Sequence, residues 1–392
     1  MSDICDIVHI PIVDTKSRFW MVRTQKGAYY DEFVRRGFIA IGWNQLLAST
    51  LRIDHSKKQL ELIKDRLRNV YKEKIPGAAY NKCKRFFSEI SNGDIVMIVD
   101  NDRITFAYIG DYYEEQDETL TVENEIETDA KIDLGLYTES IPCPYVKRRS
   151  ITQIKSISTS DAMNPYLIKA MSQNRHCLSS LDDYGRIILS TCYDIYQLGE
   201  ELTVTFRVEK KDEISPLVFA NFILSASNIL LPTSETQISI NTNIHSPGDI
   251  SIFTKIDALL EQIPVLVLYV AIVGGRFKDF EVPSIIDFLK KVTQVKRNKE
   301  IQDIELETMR ENLKASKLEN RKKELEIYET ETRLSKNSPD NDEVLKRLNI
   351  IEANFDKLQE TSAQLEIKPF DDKVISFDDI KVYTMRNRSS NN

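Results

Sequence analysis

The sequence predicts an α+β protein built from more than one unit, and three observations predict it. Short β-branched and aromatic runs alternate with helix-period runs up to about residue 280, which mixes strands and helices. From Ser284 to about Leu365 the composition turns Lys/Glu/Leu-rich, which reads as long charged helices. The chain has 392 residues, more than one ordinary core organises. Gly and Pro are scarce, at 12 each, so long disordered stretches are not expected before the polar tail.

Taken in order, residues 17–23 (SRFWMVR) form a short strand. The turn after it leads into a helix with Tyr30, Phe33 and Val34 on one face and Gly37 as its stop. Residues 38–43 (FIAIGW) make a second strand that is apolar on both faces, so that each tryptophan ends a strand. Residues 56–73 are helical, with Ser56 as N-cap and Leu60, Ile63, Leu67, Val70 and Tyr71 at three-four spacing. Residues 78–90 make another helix, closed by Ser91-Asn92-Gly93. The strand 94–100 turns through Asn101-Asp102 into a strand over 103–113. The stretch Asp111–Asp133 holds ten carboxylates and one lysine and reads as a solvated hairpin or loop. Residues 141–154 resume a strand with a basic tip, and Ser158 to Asp161 caps a helix through about Ser172.

A second α+β unit is expected over 185–283. It has strands at 201–210 and 237–244, a helix from Pro216 that is apolar almost all round, and a turn at Ser246-Pro247-Gly248. A helical, coiled-coil-like region is expected over 284–365. Its first part matches a heptad seam loosely, at Ile301, Ile304, Ala315, Leu318 and Leu325. Its second part carries a cleaner stripe, Val344, Leu348, Ile351, Phe355 and Leu358. That stripe needs a partner, either the preceding helix folded back or a second chain. Residues 366–392 read as a tail.

Several function classes are disfavoured. The net charge is −8, so contact with nucleic acid has to be local. The five cysteines are scattered without C-x-x-C spacing, which fits reduced thiols in the cytoplasm. The four histidines are scattered too, and His176 beside Cys177 cannot readily share one metal with it, so neither metal nor cofactor is expected. The N-terminal residues lack signal-peptide character. The most apolar run, Ile263–Gly275, is shorter than the about 20 residues that span a bilayer, so a buried role is favoured over membrane association. No Walker A loop, G-x-S-x-G or H-E-x-x-H motif occurs.

The informative cluster is aromatic. Trp20 and Trp43 are the only tryptophans, with Tyr29, Tyr30 and Tyr80 between strands. Flat heterocycles stack on such faces for roughly 1–3 kcal/mol per base, and an Arg or Asn can read the edge.

The run of pieces FWMVR, YYDEFVRRGFIAIGW, AAYNKCKRFFSEISNGDIVMIVDNDRITFAYIGDYY and PCPYVKRRSITQI resembles the EVE-type branch of the PUA-like superfamily, over residues 17–158. The resemblance is closest to the modules fused to modification-dependent restriction systems and Mrr-type nucleases in prokaryotes. It implies a PUA-like pseudo-barrel holding a nucleobase, often a modified one, in an aromatic cage. Trp20 and Trp43 would line the pocket with Tyr80, while Arg23, Asn81 and Arg85 would be polar contacts. Lys147, Arg148 and Arg149 would meet phosphates.

The expected function is therefore that of a non-enzymatic sensor or adaptor for DNA or a nucleotide-like ligand, in a prokaryotic antiviral or restriction-like system. Residues 284–365 would form a homo-oligomer or dock a partner protein. Two alternatives are a membrane-perturbing effector that uses residues 263–275, and a weak metal-dependent nuclease built on Glu209 and Asp212.

Overall fold

A computed structural model describes residues 10–136, 141–159, 164–174, 176–230, 239–243, 248–255 and 341–370. The chain divides into two compact units: Ile12–Gly199, and Glu200–Asn392 together with Met1–Pro11. The first unit thus runs past the boundary expected at 158, taking in residues 165–198. The expected segments 263–275 and 284–340 lie outside the described residues.

The first unit holds strands β1 (Ile12–Val13), β2 (Phe19–Arg23), β3 (Phe38–Ile41), β4 (Ile95–Val99), β5 (Arg103–Glu114), β6 (Lys147–Ser158), β7 (Leu178–Ser180) and β8 (Ile195–Leu198). Its helices are α1 (Tyr30–Arg36), α2 (Ala48–Leu51), α3 (Lys57–Tyr71), α4 (Pro76–Ser88), α5 (Val122–Asp133), α6 (Pro165–Gln173) and α7 (Gly185–Cys192). Six strands form one mixed sheet in the order β3-β6-β5-β4-β2-β7. Only β2 and β4 in it run parallel, which is possible because α1, β3 and α2–α4 form the crossover between them. Register shifts at Phe106/Ala107 and Ile109/Tyr112 interrupt the β5–β6 ladder. Such bulges bend strands and raise their twist, and the sheet curls into a half-barrel.

Strand alternation builds a core on each face. Trp20 and Val22 join Tyr29, Phe33, Phe38, Phe86, Val96 and Ile98 on one side. Phe19 and Met21 join Met97, Phe106, Leu167, Leu189 and Tyr196 on the other. Burying each large apolar side chain contributes roughly 1.5–3 kcal/mol. The helix ends follow local chemistry. Ser56 and Gln59 form a capping box on α3, and Gly37 ends α1 with a left-handed φ of 69°.

Three local expectations are corrected. The acidic stretch is not a solvated loop: Asp111–Glu114 complete β5, and Thr121 caps helix α5, which buries Glu125, Thr128 and Ile132. Ser158 ends β6, and the following helix is capped by Asn164, whose side chain accepts the Tyr166 N–H. Trp20 sits within β2, and Trp43 lies beyond the end of β3.

The second unit contains β9 (Glu201–Val208), α8 (Pro216–Leu230), β10 (Ser239–Asn243), β11 (Gly248–Lys255) and α9 (Asn341–Gln364). The strands pair antiparallel in the order β9-β11-β10. Helix α8 buries Phe222, Ala226 and Ile229 but exposes Leu217 and Leu224, so it is not apolar-buried all round. Ile351, Phe355 and Leu358 of the expected stripe are buried, with α9 packed along α8 and Asn228 donating to Asn354 at 3.1 Å. Among the described residues, the helix that α9 packs along is α8. Residues 366–370 are no tail either: Ile367 bridges Val208, and Phe370 is buried with its ring 5.6 Å from Phe206.

Candidate binding cleft

Beyond β3 the chain passes through Gly42 into Trp43, which has a φ of 62°. Bulky side chains avoid this left-handed region, at a cost of about 1–3 kcal/mol, so surrounding contacts must hold it. The buried carboxylate of Glu125, on α5, accepts the Trp43 N–H, and it accepts the Asn44 N–H and the Tyr71 hydroxyl at 2.9 Å each. The Lys147 Nζ, on β6, donates to the Trp43 carbonyl at 2.7 Å. The indole Nε1 donates to Glu73 at 2.8 Å. A Cβ at position 42 would come within 2.7 Å of Glu125 Oε1 and 3.2 Å of the Tyr145 ring, so glycine is needed for this approach.

The half-buried Trp43 lines a cleft of about 400 Å³, together with Arg23, Gln25, Tyr71, Glu73, Glu125, Asp129, Asp133, Tyr145 and Cys177. Its lining carries four carboxylates and one guanidinium. Asp129 accepts the hydroxyls of Tyr145 at 2.8 Å and Tyr29 at 3.1 Å. Burial raises the carboxyl of Glu125, against the Asn44 N–H and the Lys147 charge, which lower it. Burial also raises Asp129, opposed by the two tyrosine hydroxyls. Burial lowers the Lys147 ammonium, and it pushes the neighbouring Cys83 thiol up to about 12. Arg23, Gln25 and Cys177 also line an adjoining cleft of about 370 Å³ with Lys26, Gly27 and Asp100.

Of the residues expected to bind a base, Trp43 and Arg23 share this cleft and the others do not line it. Trp20 is fully buried, with its Nε1 donating to Asp94 at 2.8 Å, so the two indoles do not face a common cavity. The Arg23 guanidinium is tied to the carbonyls of Asn174 and Met171 at the end of α6. Tyr80 is buried in a small core with Leu46, Leu51, Leu67 and Cys83. Asn81 is exposed on α4, and Arg85 pairs with Glu89 while its guanidinium stands 5.2 Å from the Trp20 ring.

The basic tip expected to meet phosphates is corrected outright. Lys147, Arg148 and Arg149 are 0%, 2% and 5% exposed. Arg148 bonds the Tyr145 and Cys143 carbonyls and Glu115, and lies 4.2 Å from the Phe38 ring. Arg149 donates to the carbonyls of Phe86, Phe87, Ile90 and Gly110. These cations stitch strands and helix ends together, and their donors are spent inside the protein.

Sequence reasoning missed Glu73, Glu125, Asp129 and Tyr145. A signal was present: Glu125, Asp129 and Asp133 recur every four residues after the cap Thr121, which places them on one helix face. Glu209 and Asp212 are exposed after β9, and among the described residues no group of three or more His, Cys, Asp or Glu is placed to hold a metal ion. Among the described residues no helix is long and apolar enough to cross a membrane. No family model, curated protein or solved structure matches the chain.

Proposed function

We propose that the first unit is a recognition module that takes a single flat nitrogen heterocycle, a free or flipped-out nucleobase, into the Trp43 cleft. The chain would then act as a sensor or adaptor, in keeping with the EVE-type, PUA-like pseudo-barrel that residues 17–158 resemble. One observation carries the reading: a bulky indole held in a costly backbone conformation, with every polar atom fixed, beside a cleft of nucleobase scale. A rigid aromatic wall stacks a base with little ordering cost, and the carboxylates beside it accept N–H groups from a base edge.

Binding of oligonucleotides carrying modified or unmodified bases tests the reading, with wild type, Trp43→Ala and Trp20→Phe compared. Binding is expected in wild type and Trp20→Phe and lost in Trp43→Ala. Equal or absent binding throughout rejects it. Because the three basic-tip residues are buried, the salt dependence is expected to be shallow. A protein gripping several phosphates would instead show a logarithmic slope of about −0.9 for each.

A further inference from the structure

The cleft's charge points beyond a generic base. Its four carboxylates face one cation, Arg23, whose guanidinium is bound to two backbone carbonyls. The nearest buried cation, Lys147, donates to the Trp43 carbonyl and does not line the cleft. Lys26 pairs with Asp133 at 3.1 Å, which offsets one carboxylate only. Glu125 and Asp129 are held in place by donors from other elements, so their carboxyl oxygens are fixed features of the wall. The indole adds the negative face of its π-system. Its capacity for a cation is already visible, since Lys82 Nζ stands 5.6 Å from the ring centroid. A phosphate here would meet like charge, in a protein whose net charge is already −8.

We propose that the cleft selects a positively charged heterocycle, an N-alkylated nucleobase that is cationic at neutral pH, over its neutral isomer, and that a 5′-phosphate on the nucleoside weakens this binding. This inference rests on the base-binding reading and adds the charge of the ligand. A flat cation suits the site better than an alkylammonium on a peptide. Tyr71 and Tyr145 also line the cleft, and their hydroxyls are held by Glu125 and Asp129, so a flat ring on the indole meets carboxylates at its edge.

Calorimetry on the full chain at neutral pH tests it with isomer pairs of equal composition. 1-Methyladenosine, a cation, is compared with N6-methyladenosine, and 3-methylcytidine, a cation, with 5-methylcytidine. At least one cationic member is expected to bind about tenfold tighter than its neutral isomer, the scale of a partly desolvated cation–π contact. Its 5′-monophosphate is expected to bind more weakly than the nucleoside. Glu73→Gln, which keeps an acceptor for the indole N–H, and Asp129→Asn are each expected to narrow the gap between isomers. Equal affinities, a neutral preference or a gain from the phosphate overturns the charge selection and leaves base binding standing. No binding by any nucleoside to folded protein overturns both readings. Binding of a trimethyllysine peptide in place of nucleosides overturns both as well, and assigns the cleft to a protein ligand.

Discussion

Trp20 donates its indole N–H to Asp94, whose carboxylate also accepts the Arg18 and Ser91 N–H groups at 2.9 Å each, and none of the ring reaches solvent. Removing this ring leaves a cavity and a buried carboxylate short of a donor. Trp20→Ala is therefore expected to cost about 3–5 kcal/mol in urea unfolding. Trp43 is half-buried and strained, so its truncation costs less, and the backbone should decide the rest. Trp43→Gly is expected to be about 1 kcal/mol more stable than Trp43→Ala, because glycine accepts φ near 62° freely. The reverse order in denaturation midpoints would show that Trp43 is unstrained. Asp129 offers a pH test. Burial raises its carboxyl, so the folded state keeps the proton longer than the unfolded chain does. The stability this adds is present at acid pH and is lost as pH rises from the unfolded value, near 3.8, through the folded one. Asp129→Asn abolishes that titration, so wild type should lose stability relative to the variant across this window. A difference that stays constant with pH refutes the assignment.

At the scale of elements, Glu125 ties α5 to the end of β3, and this tie sets the width of the cleft. Gly42 and Glu125 are therefore coupled. Gly42→Ala alone pushes a methyl against the carboxylate. Glu125→Asp withdraws that carboxylate, so the double variant should be more stable than the sum of the single changes by about 0.5–3 kcal/mol in a double-mutant cycle. Additive costs would mean that the two positions do not touch. Most elements were legible in the sequence because their signals are local: the Ser56 cap, the Gly37 stop, and the alternation that sends Trp20 and Met21 to opposite cores. The site was half legible. Trp43 and Arg23 stood out by residue type, but the charged segments were misread. Lys147–Arg149 looks like a surface patch because nothing near it in sequence reveals its partners. Arg149 reaches carbonyls at Phe86, Phe87 and Ile90, about sixty positions away, and only the folded chain brings them together. The ten carboxylates of 111–133 masked a helix whose four-residue repeat was legible but was outweighed by the charge count.

At the scale of the whole molecule, the second unit draws its core from two distant parts of the chain. Phe206 packs edge-on against Phe222 at 5.0 Å and lies near Phe370, while Leu358 of α9 is fully buried. Leu358→Ala is expected to cost this unit about 2–5 kcal/mol. The loss should show as faster amide exchange in β9 and β11, with α3 and β4 of the first unit unchanged. Protection lost equally in both units would mean that they unfold as one. The late position of α9 also matters on the ribosome. When Lys255 has left the exit tunnel, β9, α8 and β11 are all available, yet the helix that covers α8 is not complete outside it until Gln364 has also emerged. At about 5–20 residues per second, the interval to that point lasts roughly 5–20 seconds. For that time the apolar face of α8 lacks the cover that α9 supplies. The half-made protein is thus a natural client for chaperones, while the first unit can already be complete.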